Sequence, residues 1–558
     1  MSNNPLVFPE YAEAIKELEV DLRNALVISI GPSGVLSTFI DNIWRYHPYI
    51  HTKNIRPSHM KIDFSLLTFA DGSCLTDPQH EQLLTSAKMF LYARLAYPHP
   101  WNGKRIKYAT LSKTWFYLRP LIRWMVGKGY TCFSELSPAV CIDYVNACKK
   151  ETNKRGKPHP PRTLAARIAP LETLYQFREY LLDAPPEHPW PGQSAFSLAG
   201  VDSRASQCIG KTEMIPDRLS KKLAKGSLHY IEERAEELLM HRSEQLAGKD
   251  DAEYWGKAGY KGRQQFQKEL GFLLTSCYVV IDQFSGIRDS EMASLETDCY
   301  YEHEGWDGAT YGWIKGTLYK TEEDPTPGEW MVPPVVAKAV EVATKVTAPL
   351  RAKLQARIEE LEARIASAAY LSEEQKSQDV EDLTDIKKHI NSLFLSRSFK
   401  SSRISAWSGQ ATRLRLKQLA ERLELRVEAS DLAQVQKTNE IHVGDIWPLA
   451  PHQFRKTFGV YVARNVLGDV RYLREHFKHW SLDMTLYYAA KGLDYIDQGL
   501  FDEVLSERDE LQAIIIEGWI STDSPITGEG SRKIKEWRER DEVRVAKDHR
   551  DLARKMAT

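Results

Sequence analysis

Two histidines, an arginine and a tyrosine in the C-terminal part of the chain stand at spacings typical of helices. His452 and Arg455 are three residues apart, directly after Pro451. Proline suits the first position of a helix because its missing N–H would be unpaired there anyway. Cleavage of a phosphodiester bond by a side chain needs a nucleophile, cations that neutralise the phosphate and an acid for the leaving oxygen. With His479 and Tyr488, the set contains such groups and predicts a phosphate-cleaving centre.

Apolar periodicity predicts the elements that must position these groups. Phe454, Phe458 and Val462 recur every four residues and form the buried stripe of one helix. A second amphipathic run, a turn and a short helix follow, at Val470, Leu473 and Phe477, at Lys478 to Trp480, and at Tyr487 and Tyr488. We therefore expect the polar groups to converge from two helices and a turn.

This stretch resembles the C-terminal signature of the tyrosine recombinases, also called the phage integrase family. The signature is His-x-x-Arg, then a run like D-L-R-x-I-x-E-x-L-G-H, then a tyrosine nine residues after the last histidine. Here the matching segments are His452-Gln-Phe-Arg455, DVRYLREHFKH ending at His479, and Tyr488. Lys456 and Lys478 stand where many members have histidine and glycine, but neither departure removes a group that acts in the chemistry.

A second motif lies further towards the N-terminus. The stretch QFSGIRDSEMASL resembles the family's first arginine motif, T-G-x-R-x-x-E-[LM], with Gly286 at a turn and Arg288 in the first turn of the next helix. Glu291 would orient Arg288. A surface salt bridge is the ordinary interpretation of an Arg-x-x-Glu pair, but its place before the C-terminal signature matches the family's order.

A β-hairpin is predicted between the two motifs. TYGWIKGTLYKTEEDPTPGEWMVPP alternates like two strands around an EEDPTPG turn. Members of the family carry a catalytic lysine on such a hairpin. Lys320 is the best match, and Lys315 is the competing position.

The resemblance implies a catalytic set in which Tyr488 forms a 3'-phosphotyrosyl bond, with Tyr487 as its rival for that role. Phosphotyrosine conserves the bond energy, so religation needs no cofactor, and no residue cluster has metal-ligand spacing. By role, the set is nucleophile Tyr488, phosphate-binding Arg288 and Arg455, hydrogen-bonding and acid-base His452 and His479, and Lys320 as proton donor to the leaving 5'-oxygen.

The resemblance also implies a mainly α-helical fold with a small β-sheet, in which a helical core-binding domain and a mixed α/β catalytic domain form a C-shaped clamp around DNA. Helical patterns at 136–149 and 162–182, and one interrupted at Pro120, fit the first domain. The proline-rich stretch 181–194 predicts a linker. The expected boundaries are an N-terminal extension of unknown role at 1–75, a core-binding domain at 76–185, a linker at 186–215, a catalytic domain at 216–510 and a charged tail at 511–558.

Local charge in the first domain indicates a polyanion partner. Nine basic residues and no acidic ones lie between Glu81 and Glu135, and a second basic cluster follows near residue 155. Most charge runs are solvated faces, but the absence of acids favours contact with a phosphate backbone. The residues that we assign to DNA binding are Lys104, Arg105, Lys107, Lys113, Arg119, Arg123, Lys154, Arg155 and Lys157.

Global composition is less informative. The formal net charge is −1, from 75 basic and 76 acidic side chains, so overall charge favours no polyanion. No apolar run approaches the ~20 residues of a membrane span, and the N-terminus has no leader pattern, so we expect a cytoplasmic, nucleoid-associated protein without a membrane partner. Seven scattered cysteines without a C-x-x-C pair favour reduced thiols.

Between Pro349 and Val443 the sequence departs from the family. Apolar residues at four-and-three spacing predict an antiparallel helical hairpin at 350–395, which we expect to dock on its own domain, a sister subunit or an accessory protein. A protein–protein role is favoured, because members of the family act as tetramers on paired sites. A third basic cluster, from Lys400 to Arg426, has only Glu421 and Glu424 as acidic neighbours in the sequence.

The predicted function is site-specific recombination of double-stranded DNA by a homo-tetrameric integrase or transposase of a mobile element. A telomere resolvase or a type IB topoisomerase-like enzyme would use the same chemistry. A non-cleaving DNA-binding accessory protein would keep the fold, but it would not need the nucleophile.

Overall fold

The computed structural model describes residues 15–153, 156–201, 212–305, 308–319, 325–367, 372–398, 402–435 and 441–464, together with His476. Within these ranges the chain is mainly α-helical. The helices are α1 Val20–Asn24, α2 Glu81–Ala96, α3 Tyr108–Gly127, α4 Pro138–Lys150, α5 Pro161–Gln176, α6 Ala195–Leu198, α7 Asp217–His229, α8 Ala235–Leu246, α9 Ala252–Lys257, α10 Arg263–Ser285, α11 Asp289–Met292, α12 Val335–Ala366, α13 Glu373–His389, α14 Gly409–Arg422, α15 Ala429–Leu432 and α16 Pro451–Arg464.

The strands form small antiparallel sheets, so the expected combination of many helices with little sheet is observed. The nine described strands form four sheets: β1 pairs with β2, β3 with β4, β6 with both β5 and β7, and β8 with β9. The bounds are β1 Val27–Gly31, β2 Gly34–Thr38, β3 Ile43–Arg45, β4 Lys61–Asp63, β5 Tyr300–Glu304, β6 Thr310–Leu318, β7 Thr326–Val332, β8 Leu395–Arg397 and β9 Ile404–Ala406.

The predicted hairpin around residue 322 is confirmed by the pairing of β6 with β7. Its register runs from Gly312 opposite Val332 to Leu318 opposite Thr326. Alternate side chains such as Ile314 and Trp330 are buried, as expected for strands with one face on a core. Lys320 lies outside the described residues.

The described residues build two hydrophobic cores, one before and one after residues 202–211. The first core contains side chains from Ile15 to Ala199. Segment 15–75, which the sequence suggested as a separate extension, contributes large buried side chains such as Trp44, Tyr46 and Phe64 to this core. Aromatic contacts join it to the helices: the rings of Phe64 and Trp115 lie 5.1 Å apart. Segment 15–75 and the helices that follow are therefore one packed unit, called here the N-terminal unit.

Helix α3 continues through Pro120, where the sequence predicted an interruption. An internal proline removes one backbone hydrogen bond and costs about 3 kcal/mol. Fully buried side chains lie on both sides of it, among them Leu118 and Leu121. Burial of each such side chain contributes roughly 1.5–3 kcal/mol, which offsets the cost and keeps the helix in one piece.

The proline-rich stretch expected to be a linker packs on the N-terminal unit. Trp190 is buried, and its indole N–H donates to Glu172 Oε1 at 2.5 Å. The same carboxylate oxygen accepts from the backbone N–H of Ala195 at 2.6 Å, at the start of α6. This proline-rich segment is therefore ordered and packs on α5, so residues 186–199 belong to the first core.

The second core is organised around α10, called here the central helix. Side chains along its whole length are buried, from Phe266 to Ile281, and it packs against α7, α12, α14 and α16. The aromatic ring of Tyr278 stacks on Trp407, with centroids 5.8 Å apart. The C-terminal end of this helix is therefore held from several sides, which matters because the arginine motif follows directly.

The inserted helical hairpin is present, but its first helix begins earlier than predicted. Helix α12 starts at Val335 and runs through Pro349. Its first half, with Val336, Ala343 and Val346, lies in the second core. Only its second half projects and pairs with α13. The sequence placed the start at 350 because the four-and-three spacing of apolar residues begins there, whereas core contacts before Pro349 and the hairpin after it stabilise one continuous helix.

The hairpin docks on the N-terminal unit of the same chain. The Lys388 ammonium donates to the backbone carbonyl of Ile50. A cavity of about 550 Å³ lies between the two, with Arg45 and His47 on one side and Lys353 and Asp385 on the other. The sequence had suggested its own domain, a sister subunit or an accessory protein as the docking partner, and the N-terminal unit of the same chain was not among these.

Among the described residues, no helix has both the length and the apolar character to cross a membrane. Within the same ranges, no group of three or more His, Cys, Asp or Glu side chains is arranged to hold a metal ion. The six described cysteines are free thiols: Cys74, Cys132, Cys141, Cys148, Cys277 and Cys299.

Candidate active site

A left-handed turn at Gly286 ends the central helix and positions the first predicted arginine. Gly286 has φ 59° and ψ 24°, and its N–H donates to the carbonyl of Asp282 at 2.7 Å. Glycine adopts this conformation without the steric cost that a Cβ brings. The chain then reverses, and Arg288 becomes the N-cap of the short helix α11. The sequence had placed Arg288 in the first turn of that helix.

Arg288 and Glu291 are joined by two hydrogen bonds. The backbone N–H of Arg288 donates to Glu291 Oε2 at 2.7 Å, and its guanidinium Nη1 donates to Glu291 Oε1 at 2.5 Å. The Glu291 side chain is 1% exposed and that of Arg288 is 12% exposed. The bond to Glu291 uses one of the five N–H groups of the guanidinium. Glu291 therefore fixes the direction of Arg288 and leaves further donors that a ligand can reach.

Helix α16 brings Arg455 to the same turn. Arg455 Nη1 donates to the carbonyl oxygen of Gly286 at 3.0 Å, and the whole Arg455 side chain is buried. Phe454 on the same helix lies in the second core, which holds α16 against the central helix. His452 lies in the first turn of α16 and is exposed. Two motifs far apart in the sequence thus meet: Arg455 contacts the residue two positions before Arg288.

His476 contacts the same turn, and the sequence did not predict this contact. Its Nε2–H donates to the carbonyl of Ser285 at 2.7 Å, and its ring stacks on Phe458 with centroids 5.0 Å apart and planes at 18°. Because a carbonyl only accepts, Nε2 must bear the proton in this arrangement. The residue lies inside DVRYLREHFKH, but at a position where the signature specifies no residue, so the motif gave no signal for it.

A buried carboxylate network lies behind the two arginines. Asp289 accepts from the Tyr278 hydroxyl at 3.2 Å and from Asn54 Nδ2 at 2.9 Å. Burial raises the pKa of Asp289, an effect that these two hydrogen bonds oppose. Burial also raises the pKa of Asp282 well above its usual range; Asp289 raises it further, and Arg455 lowers it. Asn54 was not predicted, because nothing local marks a residue whose partner lies 235 positions away.

The hairpin that should bear the catalytic lysine is tied to the arginine motif. Ser294 Oγ donates to the carbonyl of Glu291 at 2.6 Å and accepts from the N–H of Thr317 on β6 at 2.8 Å. Lys315, the competing lysine, forms an ion pair with Asp298 at 2.9 Å, which raises the pKa of Lys315. Ser294 therefore links the turn end of β6, at Thr317, to the carbonyl of Glu291, the partner of Arg288.

Several predicted residues lie outside the described ranges. They are Lys320, His479, Tyr487 and Tyr488 of the predicted catalytic set, and Lys154 and Arg155 of the predicted DNA-binding set.

The basic residues of the N-terminal unit divide into exposed and buried ones. Lys88, counted in the acid-free run, is buried: its ammonium donates to the carbonyl of Ile40 at 2.8 Å, and burial lowers its pKa to about 8. Arg94 is half-buried, with its guanidinium 5.4 Å from the ring centre of Phe177. Neither belongs to a surface for phosphates. The exposed or half-exposed assigned residues are Lys104, Arg105, Lys107, Lys113, Arg119, Arg123 and Lys157.

No family model and no curated protein sequence matches this chain. Solved structures that align with it include the post-cleavage complex of the XerH site-specific recombinase bound to palindromic difH substrate. The two sequences are 12% identical, the alignment covers 77% of this chain and 97% of that chain, and the TM-score is 0.36. The Tn1549 transposon integrase in complex with transposon right end DNA also aligns, with 12% identity, 76% and 98% coverage, and a TM-score of 0.35.

Proposed function

We propose that this chain is a site-specific DNA recombinase that cuts and rejoins DNA through a 3'-phosphotyrosyl intermediate. The observation that carries the proposal is the hydrogen bond from Arg455 to Gly286, which joins the C-terminal signature to the turn that presents Arg288. Two guanidinium groups near one turn can bind the non-bridging oxygens of one phosphate, since their planar forks match phosphate geometry.

Each predicted residue has a defined part in this reaction. Arg288 and Arg455 neutralise the charge that develops on the pentacoordinate phosphate. Tyr488 attacks the phosphorus and passes its phenolic proton to His452 or His479 as base, while the bond to the 5'-oxygen breaks and that oxygen departs with a proton from Lys320. His452 and His479 donate hydrogen bonds to the phosphate oxygens and exchange protons with the reacting groups. Religation reverses the same bonds, so no external energy source enters the balance.

Access to Arg455 sets a requirement on this mechanism. Its side chain is fully buried, whereas that of Arg288 is 12% exposed. In this conformation, a DNA phosphate can therefore contact Arg288 but not Arg455. DNA binding must uncover Arg455 before both guanidinium groups contact the phosphate.

The proposed substrate is double-stranded DNA, which the basic surface of the N-terminal unit and the arginine turn would hold between them as a clamp. Helix α3 presents Lys113, Phe116 and Arg123 on one exposed face, while Trp115 and Leu118 face the core. This face has no acidic residue to repel phosphates. Assembly as a homo-tetramer on paired sites, with or without accessory proteins, is part of the same proposal.

Covalent trapping tests the nucleophile. A library of short nicked duplexes of random sequence is incubated with protein in excess chelator, and adducts that survive denaturation are recovered and sequenced. We expect adducts at 3' ends from the unchanged chain and from Tyr487→Phe, and none from Tyr488→Phe, which should still bind DNA. An adduct formed by Tyr488→Phe would disprove the assignment. Cleavage that needs magnesium would indicate a different nuclease chemistry.

The same assay tests the arginines. Arg288→Ala and Arg455→Ala should each slow adduct formation by at least ~100-fold, the scale of losing one oxyanion donor. Arg263→Ala is the matched control, because Arg263 is at the other end of the central helix, is exposed and pairs with Asp250 at 3.0 Å. DNA products with hairpin ends would indicate a telomere resolvase, and relaxed circular products would indicate a topoisomerase. DNA binding without any adduct would indicate an accessory protein.

A further inference from the structure

The turn between α2 and α3 presents a tryptophan to solvent. Trp101 is 68% exposed, whereas most large aromatic side chains of the N-terminal unit, such as Trp44 and Trp115, are buried. Exposure of a whole indole is unfavourable in water, at about 25 cal/mol for each Å² of apolar surface. Such a side chain at the tip of a turn therefore needs an explanation in terms of what it contacts.

The turn is held in one shape by its own hydrogen bonds. The N–H of His99 donates to the carbonyl of Lys104 at 3.0 Å, and the N–H of Gly103 donates to the carbonyl of His99 at 2.9 Å. Gly103 has φ 66°, in the left-handed region that favours glycine. The N–H of Lys104 donates to Asn102 Oδ1 at 3.1 Å. Trp101 is thus presented by an ordered turn, and little conformational entropy is lost when it binds a partner.

His99 anchors this turn to the core. Its ring lies 5.4 Å from that of Phe177, at 86°, and Phe177 is buried. Its Nδ1 accepts the N–H of Trp101 at 3.2 Å, which requires an unprotonated Nδ1. Burial, and then the neighbouring Arg94, lower the pKa of His99, so the ring is neutral at pH 7 and can accept this bond.

Three basic residues follow the exposed indole in the chain. Lys104, Arg105 and Lys107 follow within six residues of Trp101 and all three are exposed. The nearest acidic residues in the sequence are Glu81 and Glu135. An apolar ring among cations is complementary to a polyanion that also offers apolar surface, which duplex DNA provides in its sugars and base edges.

We propose that this turn, residues 98–107, is a groove-binding contact to duplex DNA, with the Trp101 indole in the groove and Lys104 and Arg105 on the flanking phosphates. The inference rests on the proposed function, since it takes duplex DNA as the substrate. It adds a contact that no catalytic motif implies. Trp101 supplies affinity through packing against the DNA, and the two cations supply the part of the affinity that depends on salt.

The test is equilibrium binding of the full chain to a random-sequence duplex, measured by fluorescence anisotropy over a series of salt concentrations. Trp101→Ala should weaken binding by about 10- to 100-fold, the range for losing the burial of one large apolar side chain. The slope of log affinity against log salt should stay unchanged, because no charge is lost. Trp101→Phe should retain most of the affinity.

Leu182→Ala is the matched control: Leu182 belongs to the same unit, is 61% exposed and precedes Asp183. It should bind like the unchanged chain. Unchanged affinity of Trp101→Ala would overturn the proposal, and so would a loss of affinity with a flattened salt slope, which would indicate lost phosphate contacts instead. Absence of adduct from the unchanged chain would contradict the proposed function without affecting this contact.

Discussion

At the scale of single residues, Gly286 determines whether the two arginines meet. Its carbonyl accepts from Arg455, its left-handed conformation turns the chain towards Arg288, and it lies against Phe458. A Cβ at this position would come within 2.9 Å of the Phe458 ring. The arginine motif contains this glycine for reasons of geometry, because only the backbone of Gly286 takes part in these contacts.

Gly286→Ala should therefore destabilise the protein and impair the site. The left-handed conformation costs an alanine roughly 1–2 kcal/mol, and the contact with Phe458 adds about 1–3 kcal/mol of overpacking. We expect the free energy of unfolding, measured with denaturant, to fall by about 2–5 kcal/mol, and adduct formation to fall with it as Arg455 is displaced.

Gly271→Ala is the control in the same helix. There an added Cβ meets Arg415 Nη1 at 3.8 Å, an ordinary contact. Alanine is favoured over glycine inside a helix by about 1 kcal/mol, so this variant should be as stable as the unchanged chain or more so. Equal effects of the two substitutions would contradict the role given to Gly286.

At the scale of elements, α3 divides its residues between a core face and a basic face. Trp115, Leu118 and Ile122 are buried, and the opposite face presents Lys113 and Arg123. The guanidinium of Arg123 also donates to the carbonyl of Thr68 at 3.3 Å, which ties the helix to segment 15–75. The helix therefore positions cations rigidly on the surface of the N-terminal unit.

Salt dependence tests this face. Lys104→Gln with Lys113→Gln should weaken binding to all duplexes to a similar degree and reduce the salt slope by about two units, because each lost phosphate contact releases about one counterion fewer. Lys338→Gln with Lys345→Gln is the charge-matched control, since both lysines pair with Glu341, at 3.1 and 2.6 Å. An unchanged slope in the first variant would mean that this face is only solvated.

At the scale of the whole molecule, the N-terminal unit contacts the segment that bears the arginine motif. Lys53 pairs with Glu296 at 2.7 Å, and Asn54 donates to Asp289, the neighbour of Arg288, at 2.9 Å. Lys388 of the hairpin adds a third contact, to Ile50. The inserted hairpin and the arginine segment thus share one docking surface, residues 50–54.

A charge swap tests this interface. Lys53→Glu and Glu296→Lys should each destabilise the chain, and the double variant should recover most of the loss. We expect a coupling free energy of about 0.5–1 kcal/mol from denaturant unfolding, because Glu296 is 43% exposed and solvent screens the pair.

Swapping Lys257 and Glu253, an exposed pair within α9, provides the comparison, since it should leave the solution-scattering radius of gyration unchanged. The single variants at Lys53 and Glu296 should increase that radius if the units separate. Zero coupling between Lys53 and Glu296 would show that the two units do not meet in solution as described.

The sequence by itself determined the features that depend on local chemistry. Side-chain periodicity located the helices and the β6–β7 hairpin, because burial of one face imposes a repeat of 3.6 or 2 residues. The Gly286 turn and the Arg288–Glu291 pair were predictable because their partners lie within a few positions. The roles of His452, His479, Tyr488 and Lys320 came from motif spacing and stay predictions.

Only the tertiary structure decided which distant groups meet. The third basic cluster has few acidic neighbours in the sequence, yet Arg403 pairs with Asp385 at 2.6 Å and Arg422 with Glu269 at 3.2 Å. Arg415 lies over the ring of Trp407 instead of facing solvent. The burial of Lys88 and the contact of Asn54 with Asp289 belong to the same class. Packing of separate elements sets such pairings, and a local pattern contains no information about which element will lie opposite.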